Sequence, residues 1–194
     1  MKKIDHIKKT IKEKLKPKRY HHSIAVLETA LELAREYGVS EQETVWASLL
    51  HDYAKNLSDE EMRLYMTRFD IELDPVIKSR INLAHGLVGA ELAREEFSIE
   101  DENVLNAIRN HTFGRAHMSD LEKVIYLADF IEPARQFRGV HKLREWAYKD
   151  LDKTMLMALE HTIKYVMGSR RLLHPNTVLA RNYFVGLEDK HGTD

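Results

Sequence analysis

The sequence predicts an all-α fold, a single-domain helical bundle, and three observations carry that prediction. Apolar residues recur at three- and four-residue spacing along nearly the whole chain, and strand-like alternation is hard to find. Glycine and proline are few, 8 and 4 in 194 residues, so little interrupts the helical pattern. Helix-start signals recur: Ser40 with Glu43, Ser58 with Glu61 and Ser119 with Glu122 each fit an S-x-x-E capping box.

Each helix has a local reason. The first, near 2–16, has Ile4, Ile7, Ile11 and Leu15 on one stripe, with lysines around it. This is the pattern of a docked helix with a solvated basic face, favoured over a membrane or phosphate contact because no second membrane signal accompanies it. The second, near 20–37, ends at Gly38, a C-cap residue. Ser40 and Ser58 open helices near 41–54 and 59–69, and Asp74-Pro75 opens one near 75–82 as an N-cap followed by proline. Apolar stripes mark 85–97 (Val88, Leu92) and 101–111 (Val104, Ala107, Ile108), and Ser119 opens 120–132. Helices near 141–148, 151–168 and 176–185 complete the chain, with no repeat and no linker.

Composition narrows the function. A chain of 194 residues buries about 70% of the surface its unfolded form exposes, so it folds without disulfides or a structural metal. It has no cysteine, which fits a reducing, cytoplasmic setting and leaves His, Asp and Glu as the side chains for any metal site. A formal net charge of -1 predicts no general attraction to nucleic acid. No apolar run approaches a membrane span, and "MKKIDHIKKT" lacks the apolar core of a signal peptide. Trp146 and Tyr148 fit either a homodimer contact or a satellite core cluster.

Polar residues on apolar stripes point to chemistry. Val45, Ser48 and Leu49 lead by helical spacing to Asp52, and His51 stands beside it. An ionised carboxylate there costs several kcal/mol unless it is paired or bound to a cation. The conflict recurs at Asp129, behind Leu121 and Ile125, and at His22, His85 and His111. A lone histidine on such a face is an ordinary core residue, as His161 is read here, and His6, His21, His117, His141 and His191 read as surface. Five inward positions together favour a shared divalent metal. His22, His51, Asp52 and Asp129 supply two imidazoles and two carboxylates, a mixed set that suits iron, manganese, cobalt or zinc. His85 and His111 either ligate a second metal or hold phosphate and transfer protons. Lys55, Arg19 and Arg135 stand where an anionic phosphate needs compensating charge.

These residues, in this order, resemble the H…HD…D pattern of HD-domain metal phosphohydrolases. Longer stretches, "RYHHSIAVLETALELA", "HDYAKNLS", "AHGLVGAELA", "IRNHTFGR", "YLADFIEPARQFRGV" and "LLHPNTVLARN", are similar to the bacterial YqeK-type family of symmetrical bis(5'-nucleosyl)-tetraphosphatases, over about residues 19 to 182. The resemblance implies an iron-type cation held by His22, His51, Asp52 and Asp129. It implies nucleotide contacts from Arg19, from Asp52, Tyr53, Ala54 and Lys55, from His85, from His111 and Thr112, and from Asp129 and Arg135. It adds a segment the stripes do not show: Leu172, Leu173, His174, Pro175, Asn176 and Thr177. One departure is Phe113, where the family pattern expects a smaller or polar residue.

The implied reaction is hydrolysis of diadenosine tetraphosphate at its midpoint, by a water activated on the cation, with ADP (or GDP from the guanosine analogue) as product. Asp52, Lys55, His85 and His111 stand closest to that chemistry. The rivals are another HD phosphohydrolase acting on a deoxynucleoside monophosphate or an alarmone, a non-catalytic nucleotide sensor, and a metal-free helical scaffold.

Overall fold

The computed structural model describes residues 2–191, with side chains from 3 to 188. Among the described residues there are eleven α-helices, one 3-10 turn and no strand. The helices are α1 (Lys2–Lys14), α2 (Pro17–Glu36), α3 (Glu41–Leu50), α4 (Asp59–Arg68), α5 (Pro75–Ser79), α6 (His85–Phe97), α7 (Glu102–Asn110), α8 (Asp120–Ile131), α9 (Val140–Ala147), α10 (Leu151–Gly168) and α11 (Pro175–His191). The 3-10 turn, Ile81–Ala84, precedes α6.

The expected caps explain most boundaries. Ser58 and Ser119 form complete capping boxes with Glu61 and Glu122. Ser40 forms half of one: its hydroxyl accepts from the Glu43 amide, but the Glu43 carboxylate is taken by the Asn103 side chain at 2.8 Å. Gly38 sits at φ +65°, and the Val39 amide reaches back to the Ala34 carbonyl at 2.8 Å, a Schellman ending that favours glycine. Asp74 accepts from the Val76 and Ile77 amides ahead of Pro75.

Two expected helices are corrected. The helix expected over 41–54 stops at Leu50. The His51 ring donates to the Ser48 carbonyl at 2.7 Å, the acceptor that the Asp52 amide would need to continue the α-helix. Tighter bonds, Tyr53 to Leu50 and Lys55 to Asp52, then carry the chain through turns. The helix expected over 75–82 breaks at Arg80, which is extended at φ −151° and ψ 83°. Before the break, the Ser79 hydroxyl donates back to the Val76 carbonyl, a side-chain bond that competes with helix continuation. Smaller shifts occur at α2, which starts at Pro17 with proline in its first turn, and at α11, which runs on to His191.

Helices α2, α3, α7 and α8 pack on one another at the centre, with α6 against α7. Helix α10 lies on α8, α11 on α10, and α9 bridges α8 and α10. Helix α1 lies on α3 with Ile7 and Ile11 buried, as is Leu15 just past its end, while Lys3 donates to the Ser98 carbonyl and Lys14 pairs with Glu96. His6, His21, His117 and His141 are exposed, and the side chain of His191 lies outside the described residues. No helix among the described residues is long and apolar enough to cross a membrane.

The packing brings several element ends together. Helices α3 and α7 finish, and α6 starts, beside the middle of α2 and the last turns of α8. Two clamps hold the adjoining loops. In the loop between α7 and α8, Arg115 grips the buried Glu122 with both carboxylate oxygens, at 2.7 and 2.6 Å. After α8, Arg144 donates to the carbonyls of Ile131, Glu132 and Arg135, at 2.8, 2.8 and 2.9 Å.

Replacing Arg115 with alanine leaves Glu122 buried with the Asn110 amide and the Ser119 backbone as its remaining donors. Because Arg115 is partly exposed, the expected loss is about 2–3 kcal/mol, toward the low end for a broken buried pair. Urea unfolding of Arg115→Ala against wild type checks it.

Candidate metal centre

Four histidines and two aspartates meet where the helix ends converge. His22 comes from the middle of α2; its Nε2 lies 3.0 Å from Asp129 Oδ1 and 3.6 Å from Asp52 Oδ2. His51 Nε2 lies 3.4 Å from the same Asp52 oxygen. On the other side of that carboxylate, His85 Nε2 is 3.1 Å and His111 Nε2 3.8 Å from Oδ1. Asp52 thus stands between two pairs of imidazoles.

Three of the histidines share one construction. His51 caps α3, His111 caps α7, and His85 follows the 3-10 turn. Each donates Nδ1–H to the carbonyl three residues back: Ser48 at 2.7 Å, Ile108 at 2.7 Å and Asn82 at 2.8 Å. Terminal carbonyls of a helix otherwise lack partners, so one bond satisfies the helix end and sets the ring's tautomer. In the neutral rings Nε2 then carries the lone pair, aimed into the site. His22, inside a helix, is oriented by a side chain instead. Its Nδ1 faces the buried Glu132 carboxylate at 3.3 Å, the carboxylate–histidine arrangement common around bound metals.

Charge and geometry both fit a divalent cation. Burial opposes ionisation of Asp52, yet the His51, His111 and His85 imidazoles around it hold its carboxyl well below the usual carboxylate range. Asp129 is held low against the same burial cost by the adjacent His22 imidazole and the charges of His51 and Arg135. His51, despite burial, is raised by the Asp52 carboxylate. Two ionised carboxylates in a buried site require positive charge. The buried Nε2 atoms of His22 and His51 have no hydrogen-bond partner, although carboxylate oxygens stand 3.0 to 3.6 Å away. Atoms that ligate one ion at about 2.1 Å lie about 3–3.5 Å apart without bonding to each other. The ligand atoms of His22, His51 and Asp129, and those of His51, Asp52 and His111, form two groups close enough to hold an ion.

His85 and His111 approach with Nε2 atoms 3.0 Å apart, and Thr112 Oγ1 is within 3.4 Å of both. Since both Nδ1 atoms donate to backbone, the facing lone pairs need a shared proton or a cation between them. Burial and the Lys55 ammonium push His85 down to about 4, so it is neutral near pH 7. Lys55, itself lowered by burial, places Nζ 3.2 Å from His85 Nε2.

The cations expected around the site are present. Arg19 Nη1 lies 2.5 Å from Asp52 Oδ2. Arg135 bonds the Asp129 side chain and, through Nε, its carbonyl at 2.8 Å. With Lys55 and Thr112 they line a cavity of about 230 Å³ over Asp52 and Asp129. Thr112, Phe130, Arg135 and Thr162 also line a neighbouring cavity of about 730 Å³, whose far wall includes Leu172, Leu173, His174 and Thr177. Pro175 and Asn176 instead face a third cavity of about 570 Å³, behind Phe113 and His174. Phe113 stacks on the His174 ring at 3.9 Å and 14°. Tyr53 and Ala54 are buried and line none of these three cavities; the Tyr53 hydroxyl donates to Glu96 at 2.6 Å.

Sequence reasoning missed Glu132, Arg144, Phe130 and Thr162. Glu132 had a signal, a carboxylate three residues after Asp129 on the same inward stripe. Arg144 had none, because its carbonyl partners are set by chain path alone.

Comparison with known proteins places this geometry. The HD domain family matches residues 19–134. A symmetrical bis(5'-nucleosyl)-tetraphosphatase of Halalkalibacterium halodurans is 42% identical over 180 residues, covering 93% of this chain and 95% of that one. A protein of the same description from Bacillus subtilis is 38% identical, covering 90% and 94%. The crystal structure of a predicted HD superfamily hydrolase involved in NAD metabolism from Clostridium acetobutylicum superposes with a TM-score of 0.90 at 44% identity, covering 94% of this chain and 97% of that one.

Two substitutions probe the construction. A Cβ on Gly86 would lie 2.9 Å from the Arg109 carbonyl and 3.3 Å from the His111 ring. Gly86→Ala is expected to cost about 1–3 kcal/mol, the usual range for overpacking, read by thermal unfolding. Glu132→Ala releases the His22 ring and is expected to weaken divalent-metal affinity about 10–100-fold, measured by chelator competition with elemental analysis.

Proposed function

The chain belongs to the HD-domain family, and on that footing we propose that it is a symmetrical bis(5'-nucleosyl)-tetraphosphatase, a metal-dependent hydrolase that splits diadenosine tetraphosphate into two ADP. The observation that carries the reading is the convergence of His22, His51, Asp52 and Asp129 beneath a cavity walled by Arg19, Lys55 and Arg135. A bare carboxylate site would repel a polyphosphate; this one presents three cations at its mouth.

His22, His51, Asp52 and Asp129 hold the cation. Their two imidazoles and two carboxylates suit a borderline first-row ion, iron first, with manganese, cobalt or zinc fitting the same donors. When bound, such an ion lowers the pKa of water toward neutrality and polarises a phosphoryl oxygen. The protein's own groups do the rest. Arg19, Lys55 and Arg135 neutralise and orient the phosphates. His85 and His111, with Nε2 atoms 3.0 Å apart beside the phosphates, are the groups placed to transfer a proton to the leaving phosphate oxygen. Thr112 Oγ1 donates beside them.

Cleavage at the midpoint requires a set distance between nucleoside and reacting phosphorus. The Leu172–Thr177 segment provides the fixed end. His174 is pinned on three sides: by Asp74 at 3.3 Å, by the Asn176 amide at 3.1 Å and by the face of Phe113. Thr177 Oγ1 donates to the Phe113 carbonyl at 3.0 Å, tying this segment to the loop that carries His111. Phe113, the departure from the family pattern, is thus a support for the base-binding segment.

Incubation with diadenosine tetraphosphate is expected to yield two ADP and nothing else, resolved by ion-exchange chromatography with the metal content of the same sample recorded. Mono- and triphosphate products, or binding without turnover at several metals, would overturn the assignment. Asp52→Ala is expected to lose both bound metal and activity. Lys55→Met and Arg135→Ala are each expected to lower kcat about 10²–10³-fold, read by steady-state kinetics.

A further inference from the structure

The cavity of about 730 Å³ next to the metal centre has two walls of different character. One is the pinned segment from Leu172 to Thr177, closed by the stacked Phe113 and His174 rings. The other is aromatic and comes from three separate stretches of chain: Phe130 at the end of α8, Phe137 in the following loop, and His161 with Tyr165 on α10. Phe130, next to Asp129, also lines the smaller cavity over the metal centre. The second wall therefore begins at the reacting phosphates and leads away from them.

Phe130 and Phe137 are partly buried against the core, and both also line the cavity. Phe137 and His161 are tilted by 47° at 4.5 Å, and Phe130 meets Phe137 edge-on at 5.2 Å and 69°, and all three rings line the cavity. Tyr165 lies one helical turn beyond His161, is 60% exposed, and pairs with no other ring among the described residues. A large aromatic at a cavity rim without a packing partner is costly to leave in water and useful for stacking a base. Burial and the neighbouring Lys164 lower the pKa of His161, so the imidazole is neutral and stacks as an uncharged ring. Arg171 also lines the cavity, adding a guanidinium plane near the rim.

The geometry points to Phe137, His161 and Tyr165 as a stacking ledge for the second nucleoside of a dinucleoside polyphosphate, the half that departs after cleavage. The inference rests on the hydrolase reading above and deepens it. The Leu172–Thr177 segment retains one nucleoside, and the aromatic ledge receives the other. A cavity of about 730 Å³ lies in the upper part of the range for small-molecule sites, consistent with more than one planar group. The ledge accordingly determines preference for dinucleoside over mononucleoside polyphosphates, since only the former presents a base to it.

The test compares diadenosine tetraphosphate with adenosine 5'-tetraphosphate, which keeps one nucleoside and the same four phosphates. In wild type, kcat/KM for the dinucleoside is expected to exceed that for the mononucleoside by about tenfold or more, the scale of a single base–aromatic stack. Tyr165→Ala is expected to reduce that ratio several-fold, mainly through KM for the dinucleoside, and Tyr165→Phe to restore it. Because Tyr165 is exposed, its replacement leaves the core packing intact; Phe137→Leu is the second variant and is expected to act in the same direction. A ratio unaltered by both Tyr165→Ala and Phe137→Leu, or one that Tyr165→Phe fails to restore, overturns the ledge. If wild type hydrolyses neither compound, the hydrolase reading fails on its own, and calorimetric titration with the same two ligands still decides the ledge. Tighter binding of the dinucleoside that weakens in Tyr165→Ala supports it, and equal binding refutes it.

Discussion

Two carboxylates that stay ionised inside a helical bundle are the constraint on which the rest of the structure depends. Asp52 is almost fully buried and Asp129 half-buried, and neither tolerates that position without positive charge close by. Much of the surrounding architecture answers this demand. Four imidazoles face the two groups, Arg19 and Arg135 pair with them, and Lys55 is drawn inward despite the desolvation cost of an ammonium. Replacing these residues by apolar ones of similar volume would remove that cost, and with it the charges that a divalent ion and an anionic substrate require.

The histidines are precise because they double as helix caps. His51, His85 and His111 each bond the carbonyl three residues back, so the ends of α3, the 3-10 turn and α7 are completed by the side chains that form the site. The backbone path and the ring orientation are therefore one decision. Gly86 belongs to the same device: α6 starts so close to the end of α7 that a side chain at this position would meet backbone carbonyls and the His111 ring. The clamps at Arg115 and Arg144 then hold the loops that follow α7 and α8. Arg115 neutralises a buried carboxylate, and Arg144 donates to backbone carbonyls where α8 ends.

The site continues into a sequence of compartments. The metal cavity is small and charged, and the adjoining cavity is larger and mostly apolar, joined to it through Thr112, Phe130, Arg135 and Thr162. This order, cation then phosphates then planar bases, matches the chemistry of a nucleotide from its reacting phosphorus outward. The pinned His174 and the tilted rings on the opposite wall divide the larger cavity into a rigid face and an open one.

Much of the fold was legible in the chain itself. Capping residues and apolar spacing are local signals, so the helices and the inward positions of His22, His51, Asp52, His85, His111 and Asp129 could be read from the order of residues. The pattern also identified which groups were out of place in a core, because the cost of burying a charge depends on residue type more than on neighbours. Tertiary structure decided what those groups meet. That α3 ends at Leu50 rather than running on to 54 follows from a ring taking a carbonyl, which spacing does not reveal. Glu132 behind His22, Arg144 across the loop and Phe113 under His174 join residues 110, between 9 and 13, and 61 positions apart. Such partners are selected by how the helices cross, and a helical repeat records only which face of each helix turns inward, not which face it will meet.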